Sequence, residues 1–132
     1  MSKELFWLTL TVAMTGLIWV PYILDRCAVR GLMPTLDNPK PGAAPHSAWA
    51  QRLMAAHTNA VENLVIFVPL VLIAHELNIS NDVTVGACIV YFWARLAHVV
   101  VYTLGIPVAR TLAFTAGFLA QAALVLAIFK LV

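Results

Sequence analysis

Charge is scarce in this chain. Eight Lys or Arg and six Asp or Glu make up 11% of its 132 residues. Soluble chains average about 25% charged, so a solvated globular domain of this composition is excluded. The net charge of +2 is scattered along the chain, which argues against a nucleic-acid partner. Cysteine is scarcer still. Cys27 and Cys88 stand far apart, so neither a disulfide framework nor a metal knuckle is implied. The histidines, His46, His57, His75 and His98, share no spacing such as H-E-x-x-H, so no metal is expected. No serine accompanies the buried polar positions described below, which leaves Ser-His-Asp catalysis without support. The two halves show no convincing internal repeat, which weakens an inverted-repeat carrier reading.

What the chain has is apolar length. Hydrophobic residues make up 62%, and the mean hydropathy is +0.90. A membrane-spanning helix needs about 20 mostly apolar residues. The expected fold is therefore all-α, one integral-membrane domain over 1–132, a four-helix transmembrane bundle. Its spans are expected at about 5–24, 48–77, 83–104 and 108–131. Lys3 and Glu4 lead straight into the first span with no A-x-A-like site after it, so that helix is expected to be retained. The loop at about 25–47 holds Pro34, Pro39, Pro41, Pro45, Gly31 and Gly42 and is expected to be irregular. Arg26, Arg30, Lys40, Arg52 and Arg110 cluster on one side of the spans. The positive-inside rule places that side in the cytoplasm and both termini outside it.

The few polar residues inside the spans fall into stripes. At 100° per residue, Arg52, Asn59 and Asn63 share one face of the second span, with Glu62 at its edge. Tyr91, Arg95, His98 and Tyr102 share a face of the third, and Arg110, Phe114 and Gln121 a face of the fourth. An ionised group near mid-bilayer costs at least about 2.5–3.5 kcal/mol, so such residues face the bundle interior and find partners. Glu62 lies about 20 Å and Arg95 about 14 Å from the cytoplasmic side at 1.5 Å per residue. Because the second span starts in water, the two are expected to meet as an ion pair, with Asn59 beside them. Such a pair serves equally as glue between helices or as part of a ligand site. His57 lies roughly 140° from Arg52 around the helix and is expected to face another interface. His46 and His75 are expected to be solvated.

These residues carry a resemblance. The order Arg52…Ala56-His57-Thr58-Asn59-Ala60-Val61-Glu62-Asn63…Phe67, followed by Ala94-Arg95-Leu96-Ala97-His98…Tyr102…Pro107…Arg110…Phe114…Gly117, resembles the MAPEG superfamily. Those are the membrane-associated proteins in eicosanoid and glutathione metabolism. The resemblance implies a homotrimer that binds glutathione, as co-substrate, between subunits in the cytoplasmic half of the bundle. It implies that Asn59 and Glu62, with Arg52, hold the polar part of glutathione. It implies that Arg95, His98 and Tyr102 line the site from the next subunit. Arg110 resembles the family's thiolate-stabilising arginine, and Arg26 or Arg30 is placed to reach a glutathione carboxylate. A bacterial-type enzyme of this kind would sit in the inner membrane.

The implied activity is a membrane glutathione S-transferase acting on a hydrophobic electrophile, with peroxidase activity as a second reaction. The alternative is a non-catalytic bundle of the same fold that binds lipid or a partner. It is motivated by Ala55 and Thr58, where some family members carry arginine, and by Phe114, where some carry tyrosine.

Overall fold

A computed structural model describes residues 1–132. Six helices follow one another: α1 (Lys3–Leu17), α2 (Trp19–Arg30), α3 (Leu32–Leu36), α4 (Ala48–Glu76), α5 (Asp82–Leu104) and α6 (Pro107–Ile128). Together α1 and α2 form one apolar run from Lys3 to Arg30, and α4, α5 and α6 supply three more of membrane-crossing length. The expected four-span all-α bundle is the observed one.

Two differences have local causes. The first span runs past its expected end through Asp25 to Arg30, and Leu32–Leu36 forms a further turn. The irregular loop is therefore shorter than expected. Gly31 makes the break between these pieces with φ 86° and ψ 163°, a backbone that a side chain disfavours. The first span is also interrupted at Ile18. Pro21 has no N–H for the Leu17 carbonyl, and its ring crowds the preceding turn, so the ladder lapses there.

Local chemistry fixes the other ends. Ser2 Oγ accepts the Leu5 N–H at 3.2 Å and starts α1. Asn81 and Thr84 form a reciprocal capping box at the start of α5. Gly105 ends α5 in the left-handed region (φ 76°), and Pro107 opens α6 at a position where its missing N–H costs nothing. At about 1.5 Å per residue, the 29-residue α4 is about 44 Å long, so it outruns the hydrocarbon core.

α5 packs on α1, α4 and α6. Its Tyr91 ring stacks on Phe67 of α4, with centroids 3.7 Å apart. Leu8, Val71, Cys88 and Leu124 close around that pair. A second cluster of Ile18, Leu53 and Ala60, with Tyr22 and Val99 against it, joins the first span to α4 and α5. Large apolar side chains such as Val65, Trp93, Leu112 and Phe118 point outward. In water that surface would be untenable; in lipid it is the solvated face.

The bundle thus has two ends. One carries both termini and the α4–α5 turn. The other carries the long loop and the Gly105 turn. The polar side chains gather mainly between mid-bundle and the long-loop end.

Candidate functional site

Arg95 lies in the middle of the bundle and is 2% exposed. Gly117 makes this possible. A Cβ at that position would stand 3.4 Å from Arg95 Cδ, so the absent side chain gives the arginine stem its room against α6. Arg95 Nη2 donates to Asn59 Oδ1 of α4 at 2.5 Å. The same Nη2 lies 3.4 Å from Nδ1 of His98, one turn along α5. An arginine only donates, so Nδ1 of His98 is the accepting nitrogen of that contact. Arg95 Nε and the Tyr91 hydroxyl are buried without a protein partner.

The chain of contacts continues toward the long-loop end. His98 meets the Tyr102 ring edge-on, with centroids 5.5 Å apart. The Arg110 guanidinium, from the first turn of α6, lies 4.5 Å from the centre of that ring. Phe114, a turn further along α6, stands 6.3 Å from His98. Asn59, Arg95, His98, Tyr102 and Arg110 therefore form one continuous row from mid-bundle to the rim. The row is held from the side: Asn63 Nδ2 donates to the Asn59 carbonyl at 2.9 Å, and Gln121 Nε2 donates to the Asn63 carbonyl at 3.0 Å.

Arg95 and His98 are buried within the chain, so of the two guanidinium groups in the row only that of Arg110 is accessible, and it suits an anionic ligand. Tyr102 and Arg110 are only half-buried, so the rim end of the row is open to a ligand.

The model of the MAPEG family matches residues 5–130, nearly the whole chain. The chain belongs to the MAPEG family. No curated protein matches it. MAPEG proteins include glutathione transferases together with members that are not enzymes.

Within this MAPEG bundle the expected Glu62–Arg95 ion pair does not form. Asn59 takes the Arg95 guanidinium instead, and Glu62 is exposed on the outer side of α4. Three residues advance a helix by 300°, so Glu62 sits about 60° around from Asn59 and faces out when Asn59 faces in. Arg52 does not extend freely to the surface. Its Nε donates to the Thr103 carbonyl at 2.8 Å, and its guanidinium lies across Gly105. It thereby ties α4 to the end of α5.

His57 does face another interface, where the Tyr22 hydroxyl and its Nδ1 are 2.8 Å apart. His75 is exposed as expected. His46 is not solvated; it is buried against Asp25 and Arg26. Arg26 Nε donates to His46 Nε2 at 3.2 Å, and Arg30 Nε to the Ala44 carbonyl at 2.6 Å. Within one copy, α2 packs on α3 and α4 and not closely on α5 or α6. Arg26 and Arg30 therefore stand apart from the Arg95–Arg110 row of their own chain.

Tyr22 carried no signal in the sequence, because a tyrosine in an apolar span is unremarkable until a polar partner is found across the interface. The Asp25–His46 contact spans 21 residues of proline-rich chain, where no periodicity exists to place it.

Proposed function

We propose that this MAPEG protein is a membrane glutathione S-transferase, with peroxidase activity as its second reaction. Glutathione is its co-substrate and a hydrophobic electrophile arriving from lipid is its other substrate. The reading is carried by the Arg110 guanidinium, held against the Tyr102 ring at the open end of a buried polar row.

A thiol is a poor nucleophile until it is ionised, and an adjacent guanidinium stabilises the thiolate. Arg110 is the group assigned that work. The thiolate sulfur then forms a bond to the electrophilic carbon while the leaving group departs with its electron pair. In the peroxidase reaction the thiolate sulfur bonds to the terminal peroxide oxygen and the O–O bond breaks. The alkoxide leaves and is protonated to the alcohol, with glutathione sulfenic acid as the other product. A second glutathione then yields the disulfide and water. Asn59, Arg95, His98 and Tyr102 line the polar side of the site.

Glu62 points away from its own row, so in this proposal it serves a site shared with a neighbouring copy in a homotrimer. The same assembly brings Arg26 or Arg30 of one copy to the row of the next. The site opens to the cytoplasm and both termini lie on the opposite side, in a bacterial inner membrane.

The test is unfolding of the detergent-purified protein with and without millimolar glutathione. A ligand that binds only the folded state stabilises by RT ln(1 + [L]/Kd), about 2.7 kcal/mol at a hundredfold excess over Kd. A rise in the midpoint that disappears in Glu62→Gln is expected. Glu62 is exposed in the single copy, so its substitution should cost little stability by itself. No rise at any glutathione concentration would sink the reading.

One observation favours the alternative, a bundle that binds lipid or a partner without catalysis. Ala55 and Thr58 are exposed and add no charge beside Arg52 and Asn59, which leaves that face of α4 thinly basic. Under this alternative, Arg110→Leu leaves every binding property intact and no glutathione-dependent turnover is found in the native chain.

A further inference from the structure

Arg26 lies one turn beyond Tyr22 on α2 and is engaged from one side only. Its Nε donates to His46 Nε2 at 3.2 Å. Arginine offers donors alone, so Nε2 must accept and the ring proton must sit on Nδ1. That nitrogen faces Asp25 Oδ2 at 3.3 Å, and the same oxygen accepts the Ser47 N–H at 2.9 Å. The side chains of Asp25 and His46 are both buried. Gln51 Nε2 donates to the His46 carbonyl at 2.8 Å, so the histidine backbone is also fixed where the loop enters α4. The Arg26 Nη groups have no hydrogen-bond partner in the chain.

The direction of this relay matters. A contact at Nε fixes the plane of the guanidinium and leaves its Nη1–Nη2 edge presented. That edge is a two-pronged donor whose geometry matches a carboxylate. A tether for the loop would need only Asp25, Ser47 and His46. Arg30 does such tethering more simply, through a backbone carbonyl. An arginine so held also surrenders its rotamer freedom on folding and not on binding, which favours affinity.

We propose that Asp25 and His46 are positioning residues that hold Arg26 by its Nε, so that its Nη edge receives a carboxylate of the glutathione tripeptide. This inference rests on the glutathione reading above. Asp25 orients His46, His46 orients Arg26, and Arg26 alone touches the ligand.

The experiment measures glutathione Kd by calorimetry, and KM and kcat, on the full-length detergent-purified chain. His46→Asn retains an amide donor near the Nδ1 position and has no acceptor near Nε2. His46→Gln places an amide oxygen near Nε2. We expect His46→Asn to raise Kd and KM about fivefold, about 1 kcal/mol, while kcat changes less than twofold. His46→Gln should return both to within about twofold of the native chain. Arg26→Lys should match His46→Asn, and the double variant should be no worse than either single one, as for two residues acting through one contact.

A loss of thermal stability in His46→Asn with unchanged Kd would make the relay a loop tether and overturn the proposal. Additive losses in the double variant would overturn it as well. Absence of glutathione binding by the native chain would defeat the glutathione reading itself, and this inference with it. Normal native binding with unaffected variants would defeat this inference alone.

Discussion

Arg110 of α6 rests its guanidinium 4.5 Å from the centre of the Tyr102 ring of α5. The ring face holds the cation by its quadrupole and leaves the N–H donors around its edge directed elsewhere. Arg110→Leu is expected to lower glutathione-dependent turnover by about 100-fold or more, on the scale of losing one electrostatic donor at a reacting atom. Assembly should survive, because Arg110 lies at a helix start on the rim and is only half-buried. Steady-state kinetics together with size-exclusion chromatography decide the point. Undiminished turnover would remove Arg110 from the mechanism.

Tyr102 separates ring from hydroxyl. Tyr102→Phe keeps the stack and should keep most of the activity. Tyr102→Leu removes a contact of about 0.5–2 kcal/mol and frees the guanidinium to move. The expected order of kcat/KM is native, then Phe, then Leu. Equal losses in both variants would show that the hydroxyl, and not the ring, carries the role.

The architecture and the polar row were legible for one reason: scarce charge in apolar helices makes every polar residue stand out. The 100° advance then sorts such residues into faces. That rule put Asn59 and Asn63 on one stripe and Arg95 and His98 on another, and the structure joins those stripes through Asn59 and Arg95. Depth counting failed on Glu62, because equal depth says nothing about rotational phase. The 60° between Asn59 and Glu62 decides which of them faces in. The relay through Asp25, His46 and Arg26 lay beyond sequence reasoning. It closes a loop without periodicity, and nothing local requires residue 46 to fold back on residue 25.

Arg95 and Asn59 give a prediction in which the smaller loss comes from the larger change. Asn59→Leu leaves a buried guanidinium with only the 3.4 Å contact to His98 Nδ1, and is expected to cost about 3 kcal/mol of stability. Arg95→Met removes the charge and fills its volume, so it should cost clearly less, as apolar replacement of buried ionic groups often does. Both should abolish glutathione-dependent stabilisation. Denaturation in detergent with each variant tests the order, and a more stable Asn59→Leu would show that Arg95 does not depend on Asn59.

Gly105 is constrained twice. Its φ of 76° is left-handed, and a Cβ there would lie 3.4 Å from Arg52 Nε. Gly105→Ala should therefore cost about 1–2 kcal/mol for the backbone alone. It should also displace Arg52 from the Thr103 carbonyl, loosening the end of α5 on which Tyr102 sits. Hydrogen exchange over 101–106 should rise in this variant while α1 stays protected. Unchanged protection at 101–106 would show that Arg52 does not brace this turn.

Glu4 tests whether the two ends of the bundle are separable. It is 4% exposed, and its Oε1 accepts from the Ser80 hydroxyl at 2.8 Å and the Thr84 hydroxyl at 2.7 Å. One carboxylate thus pins the start of α1 to the α4–α5 turn and the first turn of α5. Glu4→Leu removes two charge-assisted hydrogen bonds, and the hydroxyls it abandons can only partly turn back to their own helix. The expected loss is about 2–4 kcal/mol. Glu4→Gln keeps an acceptor oxygen and should lose about half as much. The Arg95–Arg110 row runs from mid-bundle to the opposite rim, so the midpoint shift produced by glutathione should be the same in both variants as in the native chain. If Glu4→Leu lowers stability and that shift together, the termini end and the site are coupled through α5, which then moves as one piece.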